Sequence, residues 1–163
     1  MEVHNISTFS TNIWFFCAFF SWCLAQSIKM LLAFLKTRRV DFHYLVSTGG
    51  MPSAHSATVS GLATAIGITG GFGSPVFALA TVYAIITMFD ASTVRRAAGQ
   101  QAAIINIIIH ELFQEHKISN RRLKELLGHT RIEVLMGMLT GIAFSAASCI
   151  IWINKHQALD AIQ

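Results

Sequence analysis

Ser47-Thr-Gly-Gly-Met-Pro-Ser-Ala-His-Ser-Ala57 runs straight into Thr58-Val-Ser-Gly-Leu-Ala-Thr-Ala-Ile-Gly-Ile68, and the junction of the two halves sets the reading of the whole chain. In the first half, Gly49 and Gly50 permit positive φ, and Pro52 restricts the residue before it and suits the first turn of a helix or the position next to it. The second half is apolar but built of small residues. Ala57, Gly61 and Ala65 recur every fourth position, and Gly67 and Gly71 repeat that spacing. Small residues at this interval let membrane helices approach closely, which predicts a central helix over 55–70. A polar cluster of Ser53 and His55 therefore stands at the mouth of a buried helix. The N–H groups at such a start, with a hydroxyl and an imidazole beside them, form a cradle for an anion. A plainer reading competes with it: a turn, a cap, and a histidine bonded to nearby backbone.

Outward from this junction the chain is apolar in blocks. Of 163 residues 53% are hydrophobic and 12% charged, where soluble domains carry about a quarter charged. The pattern implies one integral membrane domain, an all-α helical bundle of four to five transmembrane or membrane-buried helices. Spans are expected at about 13–35, 55–70, 75–90 and 131–153. The run over 104–113, too short to cross and interrupted by Asn106, His110 and Glu111, is expected to be part of a buried or interfacial helix over about 97–113, followed by a hydrophilic loop over 114–128. The polar tail from Asn154 is expected to fray. The first block lacks a basic head and a small-residue cleavage site, so it reads as a retained span. Cys17, Cys23 and Cys149 lie in apolar blocks and fit no metal spacing or disulfide framework. His110-Glu111 lacks the second histidine of a zinc-protease helix.

The net charge of +4 is concentrated in two loops, Lys36–Arg39 and Arg95–Lys124. Such clusters fit anionic lipid on the cytoplasmic side rather than nucleic acid. Four crossings then put both termini outside. Lys29, Ser53, His55, Asp90, Arg95, Arg96, His129 and Glu133 would all collect at the cytoplasmic end. Gln26, Lys29, Ala33 and Lys36 share one helical face, and Lys29, inside the apolar run, either snorkels to the headgroups or faces a polar cavity. Asp90 either supports the site or pairs with a boundary arginine.

Two histidines at the starts of different helices, one followed four residues later by a glutamate, suit a nucleophile, its orienting carboxylate and a general acid. Surrounded by Ser53, Lys29, Lys36, Arg95, Arg96, Lys124 and the amides of Gly49 and Gly50, they suit phosphoryl transfer through a phosphohistidine, a chemistry that calls on no metal or cofactor.

Three segments carry a family resemblance: Gly49-Gly-Met-Pro-Ser-Ala-His-Ser-Ala57, Asp90 through Gln101, and Lys124-Glu-Leu-Leu-Gly-His-Thr-Arg-Ile-Glu133. From Gln26 to Gly141 the chain resembles the divergent, small bacterial and plant branch of the type 2 phosphatidic acid phosphatase superfamily, which also includes the vanadium haloperoxidases. In that superfamily a Pro-Ser-Gly-His motif supplies a phosphate-binding serine and the histidine that protonates the leaving group. Ser53 and His55 match it, with Ala54 in place of glycine. A later motif places the nucleophilic histidine four residues before an aspartate, matched by His129 and Glu133. The departures are specific. Leu123 stands where the superfamily has Ser-Arg, and Lys29 and Lys36 have the spacing of its first motif, but Lys36-Thr replaces Arg-Pro. Lysine does not reproduce the bidentate grip of arginine. The resemblance implies a membrane phosphatase acting on a lipid-linked or small phosphomonoester, at the cytoplasmic face of a bacterial inner (plasma) membrane. The rival expectation is a non-catalytic membrane protein that binds an anionic lipid or phosphate in the same pocket. Expected partners are that phosphate ligand and membrane lipids. A homo-oligomer is allowed and nucleic acid is not expected.

Overall fold

Small side chains form the interior of this protein and large ones its outside. The computed structural model describes residues 11–38, 50–112 and 128–161, the side chains of 95 and 110–112 excepted. Ala57 and Ala65 are fully buried, as are Ser21 and Ser145, whereas Leu79 is 71% exposed and Ile151 68%. That inversion of a soluble core is what lipid imposes, because hydrocarbon already solvates Leu and Ile and leaves close backbone packing to hold the helices together.

Five helical segments and no strand occur among the described residues: α1 (Ile13–Thr37), α2 (Ala54–Gly70), α3 (Pro75–Ser92), α4 (Val94–Leu112) and α5 (Arg131–Asp160). Ile13–Thr37, the stretch Pro75–Ile109 and Arg131–Asp160 are long and apolar enough to cross a membrane. The chain is thus an all-α integral membrane bundle.

Contacts fix the directions of the helices. The end of α1 lies by the start of α2, where Ala25 packs with Ala54 and Ala57. At the opposite end Trp14 Nε1 donates to Thr69 Oγ1 at 2.6 Å, and Cys17 packs with Ala65. α1 and α2 are therefore antiparallel. Ala80 of α3 packs against Ala63 and Ile66, closing an antiparallel α2–α3 pair. α5 runs alongside α2 in the same direction. A methyl on Gly137 would collide with the Ser53 carbonyl, and one on Gly141 with the Ala57 carbonyl and the Ser60 hydroxyl. Gly61 sits between α1 and α5, where a methyl would meet Ser21 and Ser145, whose hydroxyls are 3.3 Å apart. The helices thus alternate in direction, α4 aside. The C-terminal ends of α1 and α3 and the N-terminal ends of α2 and α5 share one face of the bundle.

The ends of elements follow local chemistry. Asn12, Ser53, Ser74 and Thr130 cap α1, α2, α3 and α5 with their side-chain oxygens. Pro75 opens α3 at the position where its missing N–H is harmless. Pro52, by contrast, precedes the cap Ser53 rather than entering the first turn, and its bond to Met51 is cis.

Three expectations change. α5 continues to Asp160 instead of fraying at Asn154. No glycine or proline interrupts it there, and the Trp152 and His156 rings pack at a centroid distance of 4.1 Å one turn apart. α4 begins at Val94, directly after Thr93 and three residues before its expected start. Among the described residues it packs only against α3, and Ile104, Ile105, Ile107 and Ile108 are all exposed. Lys36 lies exposed in the last turn of α1, two turns or about 10 Å beyond buried Lys29. The face that carries Gln26 and Lys29 into the bundle leaves it before Lys36.

Candidate active site

The shared face of the bundle holds the polar residues, and two backbone bonds lock its parts together. Ser53 N–H at the start of α2 donates to the Glu133 carbonyl at 2.9 Å, and His129 N–H donates to the Ala91 carbonyl at the end of α3 at 3.1 Å. The N-termini of α2 and α5 are thereby held side by side. Each presents the positive end of its peptide dipoles, so their junction favours an anion more than either end alone.

Glu133 does two jobs at this junction. Its Oε2 accepts from Thr130 N–H at 3.1 Å, and its own N–H donates to Thr130 Oγ1 at 3.3 Å, a reciprocal cap on α5. The same Oε2 lies 3.0 Å from His129 Nδ1. With the carboxylate ionised at a helix N-terminus, Nδ1 carries the proton, and the lone pair of His129 is on Nε2. The two residues sit at i and i+4, and the backbone N–H of Thr130 holds the carboxylate in place.

His55 occupies the first turn of α2 and faces this pair, its ring centroid 6.3 Å from that of His129 and inclined at 64°. His129 is buried, at 3% exposure, whereas His55 is exposed. The gap between the rings is therefore entered from the His55 side. Both imidazoles border one opening at this end of the bundle.

Lys29 reaches the same end from α1. It is buried at 4% exposure, so it points into the bundle rather than snorkelling. Its charge interacts with Glu133. Its aliphatic stem runs beside Gly50, whose φ of +93° few residues but glycine adopt. Ser53 is fully buried beneath these groups, and its Oγ accepts from Ser56 N–H at 3.4 Å and the Ser56 hydroxyl at 3.1 Å. Capping is the visible role of Ser53, and its hydroxyl proton remains a donor in kind. Asp90 is half-buried in the last turn of α3, next to the Ala91 that anchors His129. Arg96 is exposed on α4, and Arg95 lies on the same helix. Gly49 and Lys124 fall outside the described residues.

Lys29, Gly50, Ser53, His55, His129 and Glu133 are thus brought together, and Lys36 stands apart. Three participants escaped the reading of the sequence: Thr130, Ser56 and the Ala91 carbonyl. The first was legible, since Thr130-x-x-Glu133 has capping-box spacing. Ser56 had only its i+3 spacing from Ser53, and a backbone carbonyl has no signal in sequence.

A family model described as the divergent PAP2 family matches residues 10–144. The chain is also 43% identical, over 129 residues, to a Bacillus subtilis (strain 168) protein called "Uncharacterized membrane protein YuiD". That alignment covers 72% of this chain and 82% of the relative. No solved structure matches.

Proposed function

Because the chain belongs to the divergent PAP2 family, we propose that it is a membrane phosphatase that hydrolyses a lipid-linked or small phosphomonoester through a phosphohistidine. The observation that carries this reading is the His129–Glu133 bond at 3.0 Å with His55 facing it across 6.3 Å. His129 Nε2 attacks phosphorus, forming a P–N bond as the P–O bond to the alcohol breaks. Glu133 stabilises the positive charge that grows on the attacking ring. His55 donates its proton to the departing alkoxide, so the alcohol leaves neutral. A water molecule then gives His55 a proton and attacks phosphorus. The P–N bond breaks, and phosphate and free His129 are restored. Lys29, the Gly50 turn and the paired helix N-termini hold the phosphoryl oxygens. Ser53, Arg95, Arg96 and Lys124 are further candidates for that grip, and Asp90 supports it through its place beside Ala91. The basic loops support a cytoplasmic location for this face, in a bacterial inner membrane.

The deciding experiment is trapping of radiolabelled phosphate on purified protein quenched in alkaline detergent. The expected result is a label that is stable in alkali and labile in acid and is lost in His129→Ala. The same variant should release no phosphate while still binding lipid phosphate. A wild-type protein that binds phosphatidic acid but neither releases nor traps phosphate is a binder, and the catalytic reading fails. A label on any residue other than His129 keeps the enzyme and rejects the assignment.

A further inference from the structure

The chain leaves the bundle at the end of α3 and is back at the same place by the start of α5. Ala91 and His129 are joined there by a backbone bond of 3.1 Å, and α4 begins three residues after Ala91. With 19 residues α4 is about 28 Å long, close to the ~30 Å thickness of a hydrocarbon core, so length alone would let it cross. The way back forbids that. A second crossing would have to use 113–128, and that stretch carries Glu115, Lys117, Arg121, Arg122, Lys124 and Glu125. Charges so closely spaced are too costly to draw through lipid. α4 therefore stays at the face where α3 ends and α5 begins, which is the face of the candidate site.

The sequence of α4 is two-sided. At 3.6 residues per turn, Val94, Ala98, Ile105, Ile108 and Ile109 fall on one side, and Arg96, Gln100, Ala103 and Asn106 on the other. Gln101 within the apolar side and Ile107 at the edge of the polar side are the exceptions. Ile105 is 43% exposed and Ile108 47%, and among the described residues only α3 packs against this helix. We propose that α4 lies along the surface of the membrane leaflet at the site face, its isoleucines sunk among the acyl chains and Arg96 among anionic headgroups, so that anionic lipid is the partner of this helix. A helix of this pattern seats its apolar side about 5–10 Å into the boundary between headgroups and acyl chains. Charge complements that partner. Arg95 and Arg96 stand at the start of α4, and no acidic residue occurs from Val94 to His110. Arg96 is exposed and makes no ion pair among the described residues. Arg96 then leaves the phosphate grip to Lys29 and the helix N-termini. The seating of α4 does not depend on the phosphatase reading.

The test uses the full-length protein in vesicles of phosphatidylcholine and phosphatidylglycerol, with a spin label on one added cysteine at a time. Cys17 and Cys149 are buried and stay, Cys23→Ser removes the half-buried third, and protein with no added cysteine shows any stray label. Ala98→Cys, Ile105→Cys and Ile108→Cys report the apolar side, Gln100→Cys and Ala103→Cys the polar side. Depth is read from the relative accessibility of each label to oxygen and to a nickel chelate. The three apolar-side labels should share one depth, about 5–10 Å below the surface, and the polar-side labels should be open to the chelate. A crossing helix would instead carry the label through about 15 Å of depth between Ala98 and Ile108, whichever side it is on. Apolar-side labels shielded from oxygen and chelate alike would mean a protein partner, a second copy included. Either result overturns the proposal. The charge of the partner is tested by Arg96→Gln, which should lower the ratio of seated to released label by about fivefold. Phosphatidylcholine alone should lower it further, and high salt should act in the same direction. Equal seating in the two lipids rejects anionic lipid as the partner. None of these readings needs turnover, so they stand or fall apart from phosphate release.

Discussion

Glu133→Gln separates the structural and chemical roles of one side chain. In the folded protein a single carboxylate oxygen accepts from both Thr130 N–H, at 3.1 Å, and His129 Nδ1, at 3.0 Å. Glutamine serves in a capping box as glutamate does, and its amide oxygen can accept the same bonds. Stability should therefore fall by less than about 1 kcal/mol. The charge is lost, however, and it matters when His129 becomes positive on attacking phosphorus. At 3.0 Å and an effective dielectric of about 20, the attraction between two unit charges is about 5 kcal/mol. Glu133 is 21% exposed, so water screens part of it, and about 3–5 kcal/mol is a reasonable loss from the transition state. That corresponds to about a 10²–10⁴-fold drop in rate. Thr130→Ala supplies the converse. It removes the cap, costs about 0.5–2 kcal/mol of stability, and leaves the His129–Glu133 pair in place. The assay is phosphate release from phosphatidic acid in mixed micelles, with thermal unfolding of each variant in the same detergent. Slow but stable Glu133→Gln beside active but less stable Thr130→Ala is the expected pattern. Glu133→Gln with wild-type turnover, or Thr130→Ala losing as much activity as Glu133→Gln, would falsify the claim that the carboxylate acts on His129.

In a single turnover, His55→Ala should slow release of a poor alcohol leaving group by about 10²–10⁴-fold and barely change release of the phenol from an activated aryl phosphate, since general-acid help grows with the basicity of the leaving oxygen. Equal losses on both substrates would remove His55 from that role. Gly141→Ala should cost about 1–3 kcal/mol by thermal unfolding, because the added methyl meets the Ala57 carbonyl and Ser60 hydroxyl. Gly73→Ala, with nothing within 4 Å of the new methyl, is the control that should not move. Cysteines placed in 114–120 and in the C-terminal tail should show opposite accessibility to an impermeant reagent in intact cells, and equal labelling from outside would refute the proposed cytoplasmic site.

The architecture was legible because membrane helices advertise how they pack. Ala57, Gly61, Gly137 and Gly141 can lie side by side only where backbones touch, and that is where the structure puts them. The same residues bring Ser53 against Glu133, so the packing stripe and the polar motif belong to one device. What stayed hidden depends on partners rather than periodicity. The Lys29–Lys36 spacing reports a common helical face but not how far along it the neighbouring helices extend, so Lys36 was counted into a cluster that ends a turn or two before it. The isoleucines of α4 look alike whether protein or lipid covers them, so the sequence leaves that helix either buried or interfacial. The polar tail of α5 was read by composition, which misses the contact between Trp152 and His156 one turn apart.

The geometry also bears on the missing arginines. A phosphatase site needs positive potential at the phosphoryl oxygens, and Leu123 and Lys36 stand where the superfamily has arginines. Two helix N-termini fastened by the 2.9 Å bond from Ser53 to Glu133 supply part of that potential from backbone alone. Their partial charges cannot be titrated, and they do not require a long side chain to be ordered. Buried Lys29 adds an amine at the same end, close enough to Glu133 to interact with its carboxylate. On the proposed function, anion binding rests on the fixed frame of the bundle more than on guanidinium groups. That frame depends on Gly137, where any side chain would push α5 away from Ser53. A substitution at Gly137 should therefore weaken phosphate binding along with stability, whereas Gly141, one turn deeper, should affect stability far more than binding.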